Sequence, residues 1–163
     1  MKTITINDFE YPTYATVEDA DKYFSAKFGS TWGEVEQADK EKLLVTATRE
    51  IEKNEFQFCK VDEDQELAFP RMPRFNCYDV IINPEKELIE CCCEIANAIY
   101  NLPMAETITT PGIDKIKSMS VGDTSITYQD GVSIDADTFS ATASPFIKKY
   151  LGRFLRGNIR VIL

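Results

Sequence analysis

Apolar residues recur at intervals of three and four in four stretches of the chain, and this spacing predicts four amphipathic helices. The first helix begins after Thr16, because a threonine followed by two acidic residues is typical of a capping box, and it ends at Gly29. The second helix is capped by Asp39 and ends near Lys53. Trp32 lies between them and is expected to fill the gap between the two helices.

The third helix begins at Asn83-Pro84, an N-cap residue followed by proline, and ends near Asn101. Its apolar face is wide and consists of Leu88, Ile89, Cys92, Cys93, Ile95, Ala96 and Ile99. A helix this apolar is expected to lie at the centre of the fold, with the other helices packed against it.

The fourth helix begins at Ser144-Pro145, with the same cap-then-proline pattern, and stops at Gly157. Its apolar pairs follow four-residue steps, opposite basic residues: Phe146 with Ile147, Tyr150 with Leu151, and Phe154 with Leu155. Residues 158–163 (NIRVIL) are apolar and strand-like, and such a chain end tends to find a sheet edge or a groove.

Between the third and fourth helices the pattern alternates, which predicts a β-hairpin within about residues 113–134. Gly122-Asp123 and Asp130-Gly131 are its expected turns, and residues 135–144 are a predicted flexible connector. The fold class is therefore mainly α: a compact bundle of about four helices with a small β-hairpin and a C-terminal amphipathic helix plus strand-like tail. Residues 1–144 form the body, and residues 145–163 form a basic docking helix and tail.

A long connection, residues 59–82, joins the second and third helices and contains the step Phe69-Pro70-Arg71. Its aromatic residues predict that contacts hold it in order. Arg71 has two possible roles: it bonds carbonyls or a carboxylate of its own fold, which we favour, or it contacts a partner.

Composition excludes several classes of protein. With 163 residues, 44% of them hydrophobic, the chain is expected to form one globular domain. No apolar run approaches the ~20 residues that span a bilayer, and the N-terminus lacks the apolar core of a secretion signal. We therefore expect a cytosolic protein with no membrane partner.

The sequence contains no histidine and five cysteines, at positions 59, 77, 91, 92 and 93. Without imidazole there is no Ser-His-Asp or Cys-His set, and the carboxylates show no acid/base spacing, so we expect no enzyme activity. The cysteines lack the CxxC spacing of a zinc site and are expected to be small buried residues in a reducing compartment. No metal or cofactor is expected, and a contact between Cys59 and Cys77 stays open.

Charge is distributed unevenly along the chain. Residues 1–144 hold all 27 acidic residues and 13 of the 18 basic ones, a net charge of −14. Residues 145–163 carry five basic residues and no acid, a net charge of +5. This asymmetry predicts a C-terminal segment that docks on an acidic surface, and a body that repels nucleic acid.

The motifs described above occur in a recognisable order. They are Tyr14-Ala15-Thr16, Ala20-Asp21-Lys22-Tyr23-Phe24, Trp32, Leu43-Leu44, Ala47-Thr48, Ile51, Phe56, Gln65, Leu67, Phe69-Pro70-Arg71 and Ile82-Asn83-Pro84. Over about residues 11–100 this order resembles the tailed-phage head–tail connector (head-completion adaptor) proteins, often labelled DnaT-like single-stranded-DNA-binding proteins. Phe69 stands where tryptophan is commoner, and a glycine is absent near Phe58-Cys59-Lys60; both departures concern loop geometry.

The resemblance implies a viral structural protein, assembled in the host bacterial cytoplasm and located in the neck of a bacteriophage virion. Copies are expected to form a homo-oligomeric ring, a dodecamer matching the portal, that extends the DNA channel and offers a platform to the tail or stopper protein. Packaged double-stranded DNA would pass through the lumen without specific binding. The expected portal or subunit contacts lie in the C-terminal segment: Lys148, Lys149, Tyr150, Arg153, Phe154, Arg156, Arg160, Val161, Ile162 and Leu163.

The alternative function is a single-stranded-DNA-binding module. Its support in the sequence is the basic C-terminal segment, where Tyr150 and Phe154 are candidates for base stacking. Against it stand the net charge of −9 and the need for the same aromatic residues to pack the fourth helix.

Overall fold

The computed structural model describes residues 2–73, 80–102 and 136–157, together with the backbone of residues 118–121 and 124–127. Within these residues the elements follow in the order β1 (Lys2–Ile6), β2 (Phe9–Thr13), α1 (Val17–Ser25), α2 (Gln37–Glu52), β3 (Cys59–Lys60), β4 (Arg71–Met72), α3 (Glu85–Tyr100), β5 (Ser118–Val121), β6 (Thr124–Thr127) and α4 (Ala136–Leu151). The described part is mainly α with small antiparallel strand pairs, which confirms the predicted fold class.

The chain opens with a β-hairpin that the apolar spacing did not predict. β1 and β2 are antiparallel, with Ile6 opposite Phe9 and Ile4 opposite Tyr11. The two residues between the strands, Asn7 and Asp8, have φ values of 49° and 66°, the left-handed conformation that tight two-residue turns require. Asn and Asp tolerate this conformation better than other side chains, so the Asn-Asp pair is the local cause of the turn.

The capping box predicted for α1 is confirmed. The Thr16 hydroxyl accepts a hydrogen bond from the Asp19 amide, and the Asp19 carboxylate accepts one from the Thr16 amide. The predicted end of the helix at Gly29 is wrong, because α1 ends at Ser25 and Phe28 is fully exposed instead of continuing the apolar face.

The predicted start of α2 at Asp39 is also wrong. The helix begins at Gln37 after Glu36, so Asp39 lies in the first turn, where a carboxylate still favours the positive end of the helix dipole. Trp32 fills the gap between α1 and α2 as predicted: it is 1% exposed, stacks on Phe24, and its indole N–H donates to Asp21 at 2.8 Å.

α3 lies at the centre, in contact with α1, α2 and α4, as its apolar face predicts. Cys91, Cys92 and Cys93 are all completely buried, and burial raises the pKa of each thiol, which keeps it protonated. The helix begins one residue later than predicted, with Pro84 at the cap and Asn83 outside it. Cys59 is a free thiol, and Cys77, its suggested contact, lies outside the described residues.

The predicted β-hairpin is confirmed in the strands β5 and β6, which pair from Ser118↔Thr127 to Val121↔Thr124. Both predicted turns, at Gly122-Asp123 and Asp130-Gly131, lie outside the described residues.

The last helix differs most from its prediction. α4 begins at Ala136, so residues 136–144 are helical and not a flexible connector, and Pro145 lies inside the helix. The helix ends at Leu151 and a 3-10 turn, Gly152–Phe154, follows; Gly157 then adopts a φ of +99°. The predicted boundary between residues 1–144 and 145–163 therefore falls inside α4.

Candidate interaction surface

The apolar side of the C-terminal region packs against its own core. Ile147 and Leu151 are buried, and Phe146, Tyr150, Phe154 and Leu155 are partly buried against the same cluster. Tyr150 and Phe154, two of the expected portal or subunit contacts, are thus only partly exposed, and the ring of Phe154 lies edge-on against Phe69 at 5.8 Å.

Backbone hydrogen bonds fix the start of the tail to the residues that follow α2. The Gln57 amide donates to the Phe154 carbonyl at 2.7 Å, and the Arg156 amide donates to the Glu55 carbonyl at 2.9 Å. The Gln57 side chain donates to the Leu155 carbonyl at 2.9 Å, and Phe56 and Leu155 form an antiparallel bridge. The segment Gly152–Gly157, here called the C-terminal strap, is thus attached through the backbone of Phe154, Leu155 and Arg156, with Leu155 in a single β-bridge.

Arg71 bonds to the same residues, Phe56 and Gln57, that hold the C-terminal strap. Its guanidinium donates to the carbonyls of Gln57 at 2.5 Å, Ala68 at 3.0 Å and Phe56 at 3.2 Å, and to that of Phe58. Burial lowers the pKa of the Arg71 guanidinium below its ordinary value, but arginine stays charged at neutral pH. The prediction that Arg71 bonds carbonyls of its own fold is confirmed.

The rest of the Phe69-Pro70-Arg71 motif shapes the same region. The Phe69–Pro70 peptide bond is cis, and Phe69 is buried edge-on against Phe56 at 4.9 Å. Glu52 fixes Ala68, the residue before Phe69, because both of its carboxylate oxygens accept from the Ala68 amide, at 3.1 and 3.0 Å. The motif therefore positions the Phe69 ring, against which the Phe154 ring packs.

Four cations of the C-terminal region point outward: Lys148, Lys149, Arg153 and Arg156, here called the basic outer face. Arg153 pairs with Glu87 at 2.5 Å, and Arg156 lies 3.6 Å from Glu55. Lys148 and Lys149 have no carboxylate partner among the described residues. Arg160, Val161, Ile162 and Leu163, the remaining predicted contact residues, lie outside the described part of the chain.

A partly buried ion pair joins the residues that follow α1 to α3. Glu94 is 7% exposed and accepts from the Tyr23 hydroxyl at 2.6 Å and from Lys27 at 2.5 and 2.6 Å. Burial and the hydrogen bond to Glu94 raise the pKa of the Tyr23 hydroxyl, with a further contribution from Tyr150 on α4. The network satisfies a charge that would otherwise be costly to bury, and so it joins α1 and the residues after it to α3.

A second buried carboxylate connects α4 to α2. Glu50 is 5% exposed, and it accepts hydrogen bonds from Lys53 at 2.6 Å and from the Ser140 hydroxyl at 2.8 Å. Neither Glu50 nor Glu94 was singled out from the sequence. The available signal was an acidic residue at a helix position close to the apolar face, because a carboxylate buried there requires a cation within reach.

A groove of about 920 Å³ lies open between α1 and the first half of α3. Its walls carry charges of both signs beside Tyr23 and Ile89: Asp19, Lys22, Lys27, Glu85, Lys86, Glu87 and Glu90. Among residues 2–73, 80–102 and 136–157 no group of three or more histidine, cysteine or acidic side chains has a metal-binding arrangement. In the same residues no helix is long and apolar enough to cross a membrane.

The fold and its surface define a small, mainly helical protein with an acidic body and a basic outer face on its last helix and the C-terminal strap. The chain belongs to the family described as "Putative DnaT-like ssDNA binding protein", which it matches over residues 6–162. No curated protein matches the chain, and no solved structure matches it either.

Proposed function

We propose that this protein is a structural component of the head–tail connector of a tailed bacteriophage. Copies would assemble as a ring against the portal, extend its DNA channel and present a platform to the tail or stopper protein. In this proposal the protein acts by holding other proteins together and performs no chemical reaction.

The observation that carries the proposal is the difference between the two sides of the C-terminal region. Its apolar side packs against the core of the same chain, while Lys148 and Lys149 face outward without a carboxylate partner among the described residues. Two exposed cations on a protein of net charge −9 fit an acidic partner surface, because steering and orientation depend on complementary charge. An acidic body in turn suits a channel through which DNA must slide.

The test is co-purification of the full-length chain with the portal protein encoded alongside it. The double variant Lys148→Glu, Lys149→Glu is expected to bind the portal at least tenfold more weakly, because it places like charges at the contact. The matched control is Lys22→Glu, Lys42→Glu, which makes the same change of net charge at exposed positions on α1 and α2. Equal binding by both double variants would contradict the assigned surface.

A second candidate function is single-stranded-DNA binding, which the description of the family favours. The basic outer face could contact phosphates. Tyr150 and Phe154 are partly buried within the fold, so their rings are poor platforms for base stacking. Such binding would therefore depend on phosphate contacts and weaken steeply as salt rises. Fluorescence anisotropy with a labelled oligothymidylate at low and moderate salt measures it directly.

A further inference from the structure

The segment Val80–Ile82 forms an open edge in the part of the chain that the structure describes. Ile82 and Arg71 exchange both backbone hydrogen bonds, at 2.8 and 2.9 Å, in an antiparallel bridge. On its other side Arg71 is paired with Lys60. Val80–Ile82 is therefore the outer of three adjacent segments; Ile82 forms its single bridge, Val80 and Ile81 lie outside any assigned strand, and we call these three residues the edge strand.

The edge strand exposes both apolar side chains and unused backbone groups. Val80 is 57% exposed and Ile81 is 58% exposed, large values for aliphatic residues. Because Ile82 bonds inward, the alternation of an antiparallel ladder directs the amide and carbonyl of Ile81 outward. Neither group has a hydrogen-bond partner among the described residues. Proteins usually protect such edges with charges, proline or a covering segment.

We propose that the edge strand accepts residues 158–163 of a second copy of this chain as an added β-strand. The proposal rests on the self-association within the proposed function, and it does not require the portal. Each copy would use its edge strand toward one neighbour and its tail toward the other.

The composition of the tail suits this site. Residues 158–163 contain Ile159, Val161 and Ile162, whose β-branched side chains favour strands. Six extended residues span roughly 20 Å beyond Gly157, which is long enough to pair with a three-residue edge. The tail starts from the C-terminal strap, which hydrogen bonds to Glu55 and Gln57 fix at Phe154 and Arg156, so the point from which the tail leaves the fold is defined.

Charge favours a tail over a second edge strand as the occupant. Edge-to-edge pairing would bring together two copies of the same acidic body, which carries a net charge of −14 over residues 1–144. The tail instead brings Arg160, within a region of net charge +5. A contact between two different surfaces of the same chain is heterologous, so it continues from copy to copy and forms a ring when the rotation closes.

The experiment is a complementation test with two full-length variants, followed by sedimentation velocity. The edge variant is Val80→Lys, Ile81→Lys, and the tail variant is Val161→Ser, Ile162→Ser. The weight-average sedimentation coefficient of the wild-type protein is expected to rise with concentration, because copies associate, while each variant alone stays monomeric. An equimolar mixture should form one-to-one dimers, because the intact tail of the edge variant meets the intact edge of the tail variant.

The control variant is Phe28→Ser, which removes a fully exposed apolar side chain elsewhere and should assemble like wild type. Circular dichroism checks that both test variants keep the helical fold. The proposal is overturned by a wild-type chain that is monomeric at every concentration, by a variant that assembles alone, or by a mixture that stays monomeric. Wild-type protein that assembles in this way but does not bind the portal would contradict the proposed function alone.

Discussion

At the scale of single residues, Arg71 holds two separate stretches of the chain together. The four carbonyls to which its guanidinium donates belong to residues 56–58 and to Ala68. Which carbonyls these are depends on the path of residues 56–58 and 68, which no local pattern specifies. Phe58 has a φ of 66° there, an unusual conformation for an aromatic residue that tertiary contacts must hold in place.

We predict that Arg71→Lys lowers the free energy of unfolding by about 2 kcal/mol, because an ammonium cannot reach the same carbonyls in a planar fork and leaves acceptors unsatisfied. Urea denaturation measures the change. Arg156→Lys is the matched control, since the Arg156 side chain is 75% exposed and its loss of fork geometry should cost little. An equal loss of unfolding free energy in the two variants would contradict the role assigned to the Arg71 guanidinium.

Asp19 gives a prediction for the dependence of stability on pH. Burial acts to raise the pKa of Asp19, but hydrogen bonds from Lys2 and Thr16 outweigh it and hold that pKa below its ordinary value. A carboxyl with a lowered pKa in the folded state stabilises the fold above its unfolded pKa, and this contribution is lost as pH falls through the folded pKa.

Asp19→Asn is therefore expected to cost about 1 kcal/mol at neutral pH, the size of a helix cap, and progressively less below about pH 4. Thermal unfolding of both proteins across this range provides the measurement. Asp64→Asn, in an exposed loop, is the control and should behave as wild type at every pH. A cost for Asp19→Asn that stays constant with pH would show that the carboxylate charge is not responsible.

At the scale of elements, periodicity predicted all four helices and the β5–β6 hairpin, because each buries a regular face or alternates along its length. Their ends were predicted less well, since helix ends depend on contacts beyond the helix. Small polar residues such as Ser140 looked like a connector, yet Ser140 is bound to the buried Glu50, which extends α4 toward its N-terminus. The β1–β2 hairpin was missed because Asn7-Asp8 was not recognised as a turn.

Pro145 separates the predicted start of the last helix from the observed one. Because α4 runs from Ala136, Pro145 lies in its interior, where it lacks an amide donor and crowds the preceding turn. Pro145→Ala should then raise the free energy of unfolding, on the order of 1–3 kcal/mol. If the helix began at Pro145 instead, proline would suit its first position and the substitution would be neutral or destabilising. Thermal unfolding distinguishes the two.

At the scale of the whole molecule, both proposals depend on which charged and apolar side chains are exposed on the surface. Net charge and its asymmetry were readable from the sequence. The sequence could not show that the apolar half of the C-terminal region is occupied by its own core. That occupation depends on Phe56 and Phe69, which a fold brings to Phe154 from about ninety residues away. The open edge strand is likewise a product of tertiary pairing between Arg71 and Ile82.

The measurement that tests the proposed function most directly is negative-stain electron microscopy of isolated portal rings, with and without this protein. We predict an added annular layer, coaxial with the portal, that disappears with the Lys148→Glu, Lys149→Glu variant and persists with Lys22→Glu, Lys42→Glu. Portal rings that gain no density from the wild-type protein, while the same preparation binds a labelled oligothymidylate, would contradict the connector role and favour single-stranded-DNA binding.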